Sequence, residues 1–570
     1  MTMLNPVKIV GLFFFFVTLM HSGLGFPSKE TGPITDSKFS GNGETQVYWR
    51  NQAKDELQKY LKSQKIEKVA RNVIFFLGDG MSIPTITAAR IRQGQLNNKT
   101  GEENVLSWEK FPHVALSKTY NQDHQTPDSA GTATQFLCGI KTNSGVLGVD
   151  GSVKPKDCSS MTDKSKVTSI ADWSIQKEKS VGIVTTTRIT HATPGGAYAN
   201  TPYRNWEVDW QLENVTNKEN CPDIAKQLIN DYKSSIKVLM GGGRRYFLPN
   251  NETDPVIGLN DKNGRRDNRN LIEEWINDKQ QRHVNYDYVW NATEFNKIDP
   301  RSTEYILGLF NSDHMSYELE KANQTVPEPT LAEMTEKAIQ TLRMHDNNKG
   351  YFLLVEGGKI DWAHHYGEAD LALSETIAMA DAVAVADKLT SDQDTLIIVT
   401  ADHAHTMSIV GYPDRGNPIL GLVKNDGKVS MAKDNLPYTT IAYANGPGAI
   451  ERRPRKNLTG AHTDDKHFHQ QSGIKMGFET HGGDDVAIFA RGPMSHLFQG
   501  VHEQHYIAHV MAFASCVGEY ANENDCAAAI VNQPKQNPVN TNSSNSGEQN
   551  FQYRFLLLLL VFITVFPKVY

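Results

Sequence analysis

The chain has 570 residues, with 58 lysines and arginines against 65 aspartates and glutamates, for a formal net charge of −7. No block of like charge forms a binding arm, so the sequence carries no electrostatic footprint for a nucleic-acid partner. Hydrophobic residues at 39% and charged residues at 22% describe a globular protein rather than a fibre or a disordered chain, and no apolar run reaches the roughly 18 residues of a spanning helix.

In chain order, Lys8 precedes an apolar stretch over residues 9–20, and the small residues Ser22, Gly23 and Gly25 come next. That order predicts a secretory signal over residues 1–25, removed on maturation. Short apolar runs rich in β-branched or aromatic residues then recur at 73–77, 181–185, 236–240, 351–355, 395–399 and 486–489. Each reads as a strand buried on both faces. Helical spacing of alanines and aliphatics appears between them at 331–342 and 371–389. The alternation predicts an α/β fold: a large, mostly parallel central sheet flanked by helices on both faces.

Residues 411–480 are punctuated by Pro413, Pro418, Pro437, Pro447 and Pro454 and read as a small lobe inserted over the sheet edge. The main folded domain is placed at 26–530 with that lobe inside it. Residues 531–547, rich in Asn, Ser, Gln and Pro, form a polar stalk unable to bury a core. Small residues around Asn545 followed by the apolar stretch 555–566 match a lipid-anchor signal, with 548–570 removed and a glycolipid joined near Asn545. Passage through the secretory pathway makes glycan acceptors of Asn98, Asn214, Asn251, Asn291, Asn323, Asn457 and Asn542, each followed by x-Ser or x-Thr. Of the five cysteines, Cys138 sits in an apolar stretch and reads as a buried thiol. Cys516 and Cys526, ten apart, suit a local bridge, which leaves Cys158 to pair with Cys221.

The segments just past the predicted strands are chemically loaded. The first strand leads into Gly78-Asp79-Gly80, the second toward Thr190-His191-Ala192-Thr193, the fourth into Glu356-Gly357-Gly358 and the fifth into Asp402-His403-Ala404-His405. In open α/β sheets, ligands bind beyond the carboxyl ends of strands. Asp361-x-x-x-His365 places two donors one helical turn apart, and His481 comes later in the chain. Mixed carboxylate and imidazole donors suit zinc, whereas Asp79, Thr193 and Glu356 are an oxygen-only set that suits magnesium. Ser129, in Pro127-Asp128-Ser129-Ala130-Gly131, is predicted at a helix N-terminus, where free N–H groups favour an anion. Arg204 can grip two phosphate oxygens.

Six segments carry a resemblance: residues 72–81, the stretch around Asp128-Ser129, residues 187–194, 355–361, 400–403 and 479–483. Over about residues 45 to 530 the chain resembles animal alkaline phosphatases of the glycolipid-anchored, membrane-bound type. The resemblance implies phosphate monoester hydrolysis at alkaline pH through a phosphoserine on Ser129, with Arg204, oriented by Asp128, holding the phosphoryl oxygens. It implies one zinc on Asp361, His365 and His481, a second on Asp79, Asp402 and His403, and magnesium on Asp79, Thr193 and Glu356. His191 then stands close to the magnesium, and His405 supports Asp361 from behind. A homodimer at the outer face of the plasma membrane is also implied, with a helix over 46–61 reaching the partner and the 411–480 lobe forming a crown.

The chain departs from the vertebrate pattern in two respects. Trp362 stands beside the magnesium region where vertebrate members carry histidine. At the positions of their additional calcium site the chain has Val256, Asn311 and Glu328, so calcium is not expected. A phosphodiesterase or sulfatase of the same superfamily is the alternative chemistry. Arg204 argues against the first, and a serine nucleophile without an aldehyde-forming cysteine motif against the second. A binding protein with a vestigial site conflicts with the intact set of positions.

Overall fold

The computed structural model describes residues 44–62, 64–449 and 455–528. The expected signal segment, the stalk, Asn542, Asn545 and the apolar tail lie outside the described residues. Residues 44–62 belong to a unit separate from the rest. Within it, Gln46–Leu61 is a 16-residue helix, capped by Thr45 and without a buried residue.

The main body is organised by ten strands: β1 (Asn72–Gly78), β2 (His113–Lys118), β3 (Ser180–Arg188), β4 (Ile236–Gly242), β5 (Tyr286–Val289), β6 (Tyr305–Leu309), β7 (Tyr351–Gly357), β8 (Thr395–Ala401), β9 (Val486–Arg491) and β10 (Gly500–Glu503). They form one sheet in the order β10-β2-β9-β8-β1-β7-β3-β4-β6-β5. Only β9 runs antiparallel to its neighbours. Period-two alternation sends Phe75 and Leu77 into one hydrophobic core and Ile74 and Phe76 into the other. Two buried faces require such a continuous apolar run.

All six predicted strands are present. Four others escaped the apolar-run criterion. β2 and β10 carry exposed or half-buried residues along one flank, β5 closes the opposite edge with the half-buried Tyr286, Asp287 and Tyr288, and β6 is interrupted by Gly308. A side chain at Gly308 would collide with the Phe310 ring, so this strand accepts only the residue that breaks its pattern.

The strands within residues 411–480 (Lys424–Asn425, Lys428–Val429, Ile441–Gly446 and Ser472–Lys475) pair in small separate sheets, and none joins the ten-stranded one. Two disulfides, Cys158–Cys221 and Cys516–Cys526, form as the spacing suggests, and Cys138 is buried and free. Among the described residues no helix is long and apolar enough to cross a membrane.

Beyond β4, the Arg244 guanidinium grips both oxygens of Asp254 at 2.8 Å, with both side chains buried. Asp254 also accepts the amides of Val256 and Ile257. Burial alone would raise the Asp254 carboxyl, but the bonds and charge of Arg244 hold it below its ordinary value. Asp254→Asn leaves a buried cation unopposed and costs about 3–5 kcal/mol in denaturant unfolding. Because the folded-state value is depressed, this contribution is complete above the ordinary carboxylate range and fades as pH falls through the lowered value. The gap between wild type and variant therefore narrows in acid.

Candidate active site

The strand register assembles the rim. Leu77 of β1 lies beside Glu356 of β7 and Thr400 of β8, and Thr185 of β3 lies beside Glu356. Hence the four strand ends singled out from the sequence belong to four consecutive strands, β8-β1-β7-β3. Asp79 and Asp402 each stand just past the last paired residues. Gly80, with φ of 72°, packs against the His405 ring, and its amide donates to Asp402 Oδ1 at 2.9 Å. A Cβ there would enter the imidazole, so the turn requires glycine.

Ser129 opens the helix Ser129–Cys138, but the cap is Asp128, which accepts the amides of Ala130 and Gly131. Asp128 also takes the Gly145 amide, the Ser144 hydroxyl, the Asn121 side-chain amide and Arg204 Nη1 at 3.1 Å. Burial would raise this carboxyl, yet Arg204 and the amides keep it below its ordinary value. With capping assigned to Asp128, the Ser129 hydroxyl is free to face the rim. Its Oγ lies 3.3 Å from His403 Nε2 and 3.5 Å from Asp79 Oδ1.

Three donor groups converge there: Asp361, His365, His405 and His481; Asp79, Asp402 and His403; and Asp79, His191 and Glu356. The histidine tautomers are set by their outer bonds. His365 Nδ1 donates to the Glu479 carbonyl at 2.6 Å, His481 Nδ1 to the Pro127 carbonyl at 2.8 Å, and His403 Nδ1 to the Ala404 carbonyl at 3.3 Å. Each Nε2 lone pair is thereby left for an electrophile. His365 Nε2 and His481 Nε2 approach Asp361 Oδ1 at 3.4 and 3.3 Å. His405 differs, because its two nitrogens are taken by Asp361 (2.7 Å) and Glu479. Burial alone would depress this imidazole, but Glu479 and Asp361 push it up to about 10. A doubly engaged, cationic ring orients Asp361 and has no lone pair to offer a metal.

The donor set fits divalent cations. Asp79 Oδ2, Asp402 Oδ2, Glu356 Oε1 and Thr193 Oγ1 are buried without a hydrogen-bond partner. Such orphaned atoms are costly unless something positive lies between them. Burial, reinforced by Asp402, Asp361 and Glu356, pushes the Asp79 carboxyl well above its ordinary value, and burial raises Glu356 to about 7. Thr185 and Thr187 donate to the other oxygen of Glu356, which turns Oε1 toward the gap.

His191 Nε2 accepts Arg204 Nη2 at 3.1 Å, so this histidine braces the arginine. Trp362 is half-buried, with its ring 4.7 Å from that of His314. His314 bonds Arg188 at 2.7 Å and meets His191 edge-on at 5.2 Å. The tryptophan thus packs its indole on His314, with its Nε1–H buried and without a hydrogen-bond partner. Glu479 and His314 received no role from the sequence. An acidic residue two positions before His481 was the available signal for Glu479, whereas His314 arrives on a loop from β6 that only the fold brings near. Val256 contributes no side-chain oxygen, and Glu328 is occupied by donors from Asn311 (2.7 Å) and Ser316.

A serine at a helix N-terminus, an arginine held by a capping aspartate and clustered metal-type donors on the rim of an α/β sheet define a hydrolase with a candidate metal site. The alkaline phosphatase family model matches residues 70–517. The tissue-nonspecific alkaline phosphatase of Rattus norvegicus is 48% identical over 500 residues, covering 87% of this chain and 93% of its own. The membrane-bound alkaline phosphatase of Bombyx mori is 46% identical over 459 residues, covering 79% and 80%. The solved alkaline phosphatase of Thermus thermophilus shares the fold, with a TM-score of 0.55 at 20% identity over 80% of this chain and 93% of that one. The chain belongs to the alkaline phosphatase family, and it is an enzyme that hydrolyses phosphate monoesters.

Proposed function

We propose that the enzyme is a metal-dependent phosphomonoesterase acting through a phosphoserine on Ser129, with an alkaline optimum, at the outer cell surface. The carrying observation is the position of Ser129 Oγ between His403 and Asp79, with Arg204 anchored by Asp128 close by. Asp361, His365 and His481 would hold one zinc, Asp79, Asp402 and His403 a second, and Asp79, Thr193 and Glu356 magnesium. When bound, these ions lower the pKa of attacking hydroxyls and screen the charge of the transferring phosphoryl group.

The chain's own residues set the geometry. Asp128 fixes Arg204, whose two Nη groups hold phosphoryl oxygens, and His191 restrains its second nitrogen. Ser129 Oγ gives up its proton and forms the O–P bond as the ester O–P bond breaks, the departing alkoxide leaving as the alcohol with one proton; Asp361, His365 and His481 would face the leaving group. Water then displaces Ser129 from phosphorus, giving inorganic phosphate and restoring the hydroxyl. Calcium is no part of this reading.

Metal content measured beside pH profiles for a monoester and a diester tests the proposal. Zinc, magnesium and monoester turnover that rises toward alkaline pH are expected. Diester hydrolysis at an equal rate would sink it.

The proposal includes anchoring by glycolipid near Asn545 and assembly as a homodimer. The chain's apolar tail and the membrane-bound relative support the first. The exposed apolar residues Val47, Trp49, Leu57 and Leu61 of the Gln46–Leu61 helix support the second. A phosphatidylinositol-specific phospholipase releases the activity from membranes into solution. Activity that stays in the pellet after complete digestion identifies a peptide anchor instead.

A further inference from the structure

The segment that presents Arg204 has a second face. Tyr203 and Trp206, on either side of the arginine, meet edge to face with ring centroids 5.8 Å apart. Lys156 places its amine 4.6 Å from the Tyr203 ring centre. These three residues line a cleft of about 460 Å³, a volume typical of small-ligand sites. Asn214, Val215 and Thr216 line it too. They are an Asn-x-Thr acceptor tripeptide in which Asn214 and Thr216 are exposed. The floor is rigid, because Trp206 is buried in one cluster with Val146, Val149 and the Cys158–Cys221 disulfide, and Tyr203 and Val215 pack against it.

A pyranose suits such a wall. Its C–H face packs on aromatic rings, while its hydroxyl and acetamide groups reach polar atoms at the margin, here the Lys156 amine. We propose that Asn214 is a glycosylated asparagine whose first N-acetylglucosamine lies in this cleft against Tyr203 and Trp206, making the sugar a fixed part of the segment that holds Arg204. The inference rests on the secretory reading of the chain. In the attachment step, Asn214 Nδ2 forms a bond to C1 of a lipid-diphosphate-linked oligosaccharide. The C1–O bond to the diphosphate breaks, and the amide loses one proton. Once attached, the sugar is confined beside the rings at high effective concentration, so weak stacking suffices to seat it.

The full chain, secreted from a glycosylating host, is digested in its native state with peptide N-glycosidase and followed by glycopeptide mass spectrometry. The Asn214 glycan is released at least about tenfold more slowly than those at exposed Asn98, Asn251 and Asn457, because cleavage there waits on local opening. Heat denaturation removes the difference, and Tyr203→Ala abolishes it in the native protein. If that variant does not fold, the comparison between sites in the wild type still decides. Release at Asn214 as fast as elsewhere overturns the inference, as does a bare Asn214 beside occupied neighbours. A chain without glycan at any acceptor overturns the secretory reading itself.

Discussion

Ser129→Ala lowers kcat by about 10³–10⁵-fold and abolishes the acid-stable phosphoenzyme, while leaving the thermal midpoint close to that of wild type. The Ser129 hydroxyl makes only long contacts, at 3.3 and 3.5 Å, and Asp128 rather than Ser129 caps the helix. Its removal therefore takes away a nucleophile without taking away a structural bond. Acid quenching after addition of a phosphate-labelled monoester reads the covalent intermediate directly. Label retained on the alanine variant, or turnover equal to wild type, excludes the serine pathway. Residual hydrolysis is expected, since Arg204 and its Asp128 anchor still bind the phosphoryl group and orient it for water.

Chelation is expected to eliminate activity and to lower the melting temperature, with zinc and magnesium together restoring both. Asp79, Asp361, Asp402 and Glu356 crowd one buried rim, and the charge of Arg204 only partly offsets the burial and carboxylate repulsion that raise Asp79. A cation present at a thousandfold excess over its dissociation constant stabilises the folded state by about 4 kcal/mol per site, so the thermal shift is large. Glu356, which burial raises from 4.5 to about 7, is one of several buried carboxyls that shape the pH dependence of the stripped protein, with Asp79, Asp402 and Glu375 raised by burial too. At Glu356 the folded chain then binds more protons than the unfolded one between these values, whereas the buried histidines His191, His364 and His403, depressed by burial, act in the opposite sense. The contribution of Glu356 to stability falls as pH rises through that window, and a metal held by its carboxylate removes that contribution. Calorimetry of stripped and reloaded enzyme from pH 5 to pH 8 checks this, and a stripped protein that melts at the same temperature and still turns over refutes a metal-organised site.

The fold class was legible because strands buried on both faces must be continuously apolar, and six such runs are separated by helical patterns. The short edge strands were not, because an edge is half-solvated and its residues need not be apolar. The reversed direction of β9 left no mark in its own composition, since pairing direction depends on the connections around it. Donor chemistry was legible for the same reason that the central strands were. Asp79, Glu356, Asp402 and His403 directly succeed apolar runs, so local sequence places them at strand ends. Glu479 and His314 act through neighbours distant in the chain; His314 has no local mark, and Glu479 has only its place two residues before His481.

The sequence by itself determined which residue types reach the rim, because strand length and glycine placement are local properties of the chain. Only the tertiary structure decided their partnership: that β8, β1, β7 and β3 are adjacent, that the outer bonds of His365, His403 and His481 leave each Nε2 free, and that His405 is locked between two carboxylates. Strand order and imidazole tautomer are set by long-range packing and hydrogen bonding, which no local pattern of residues encodes.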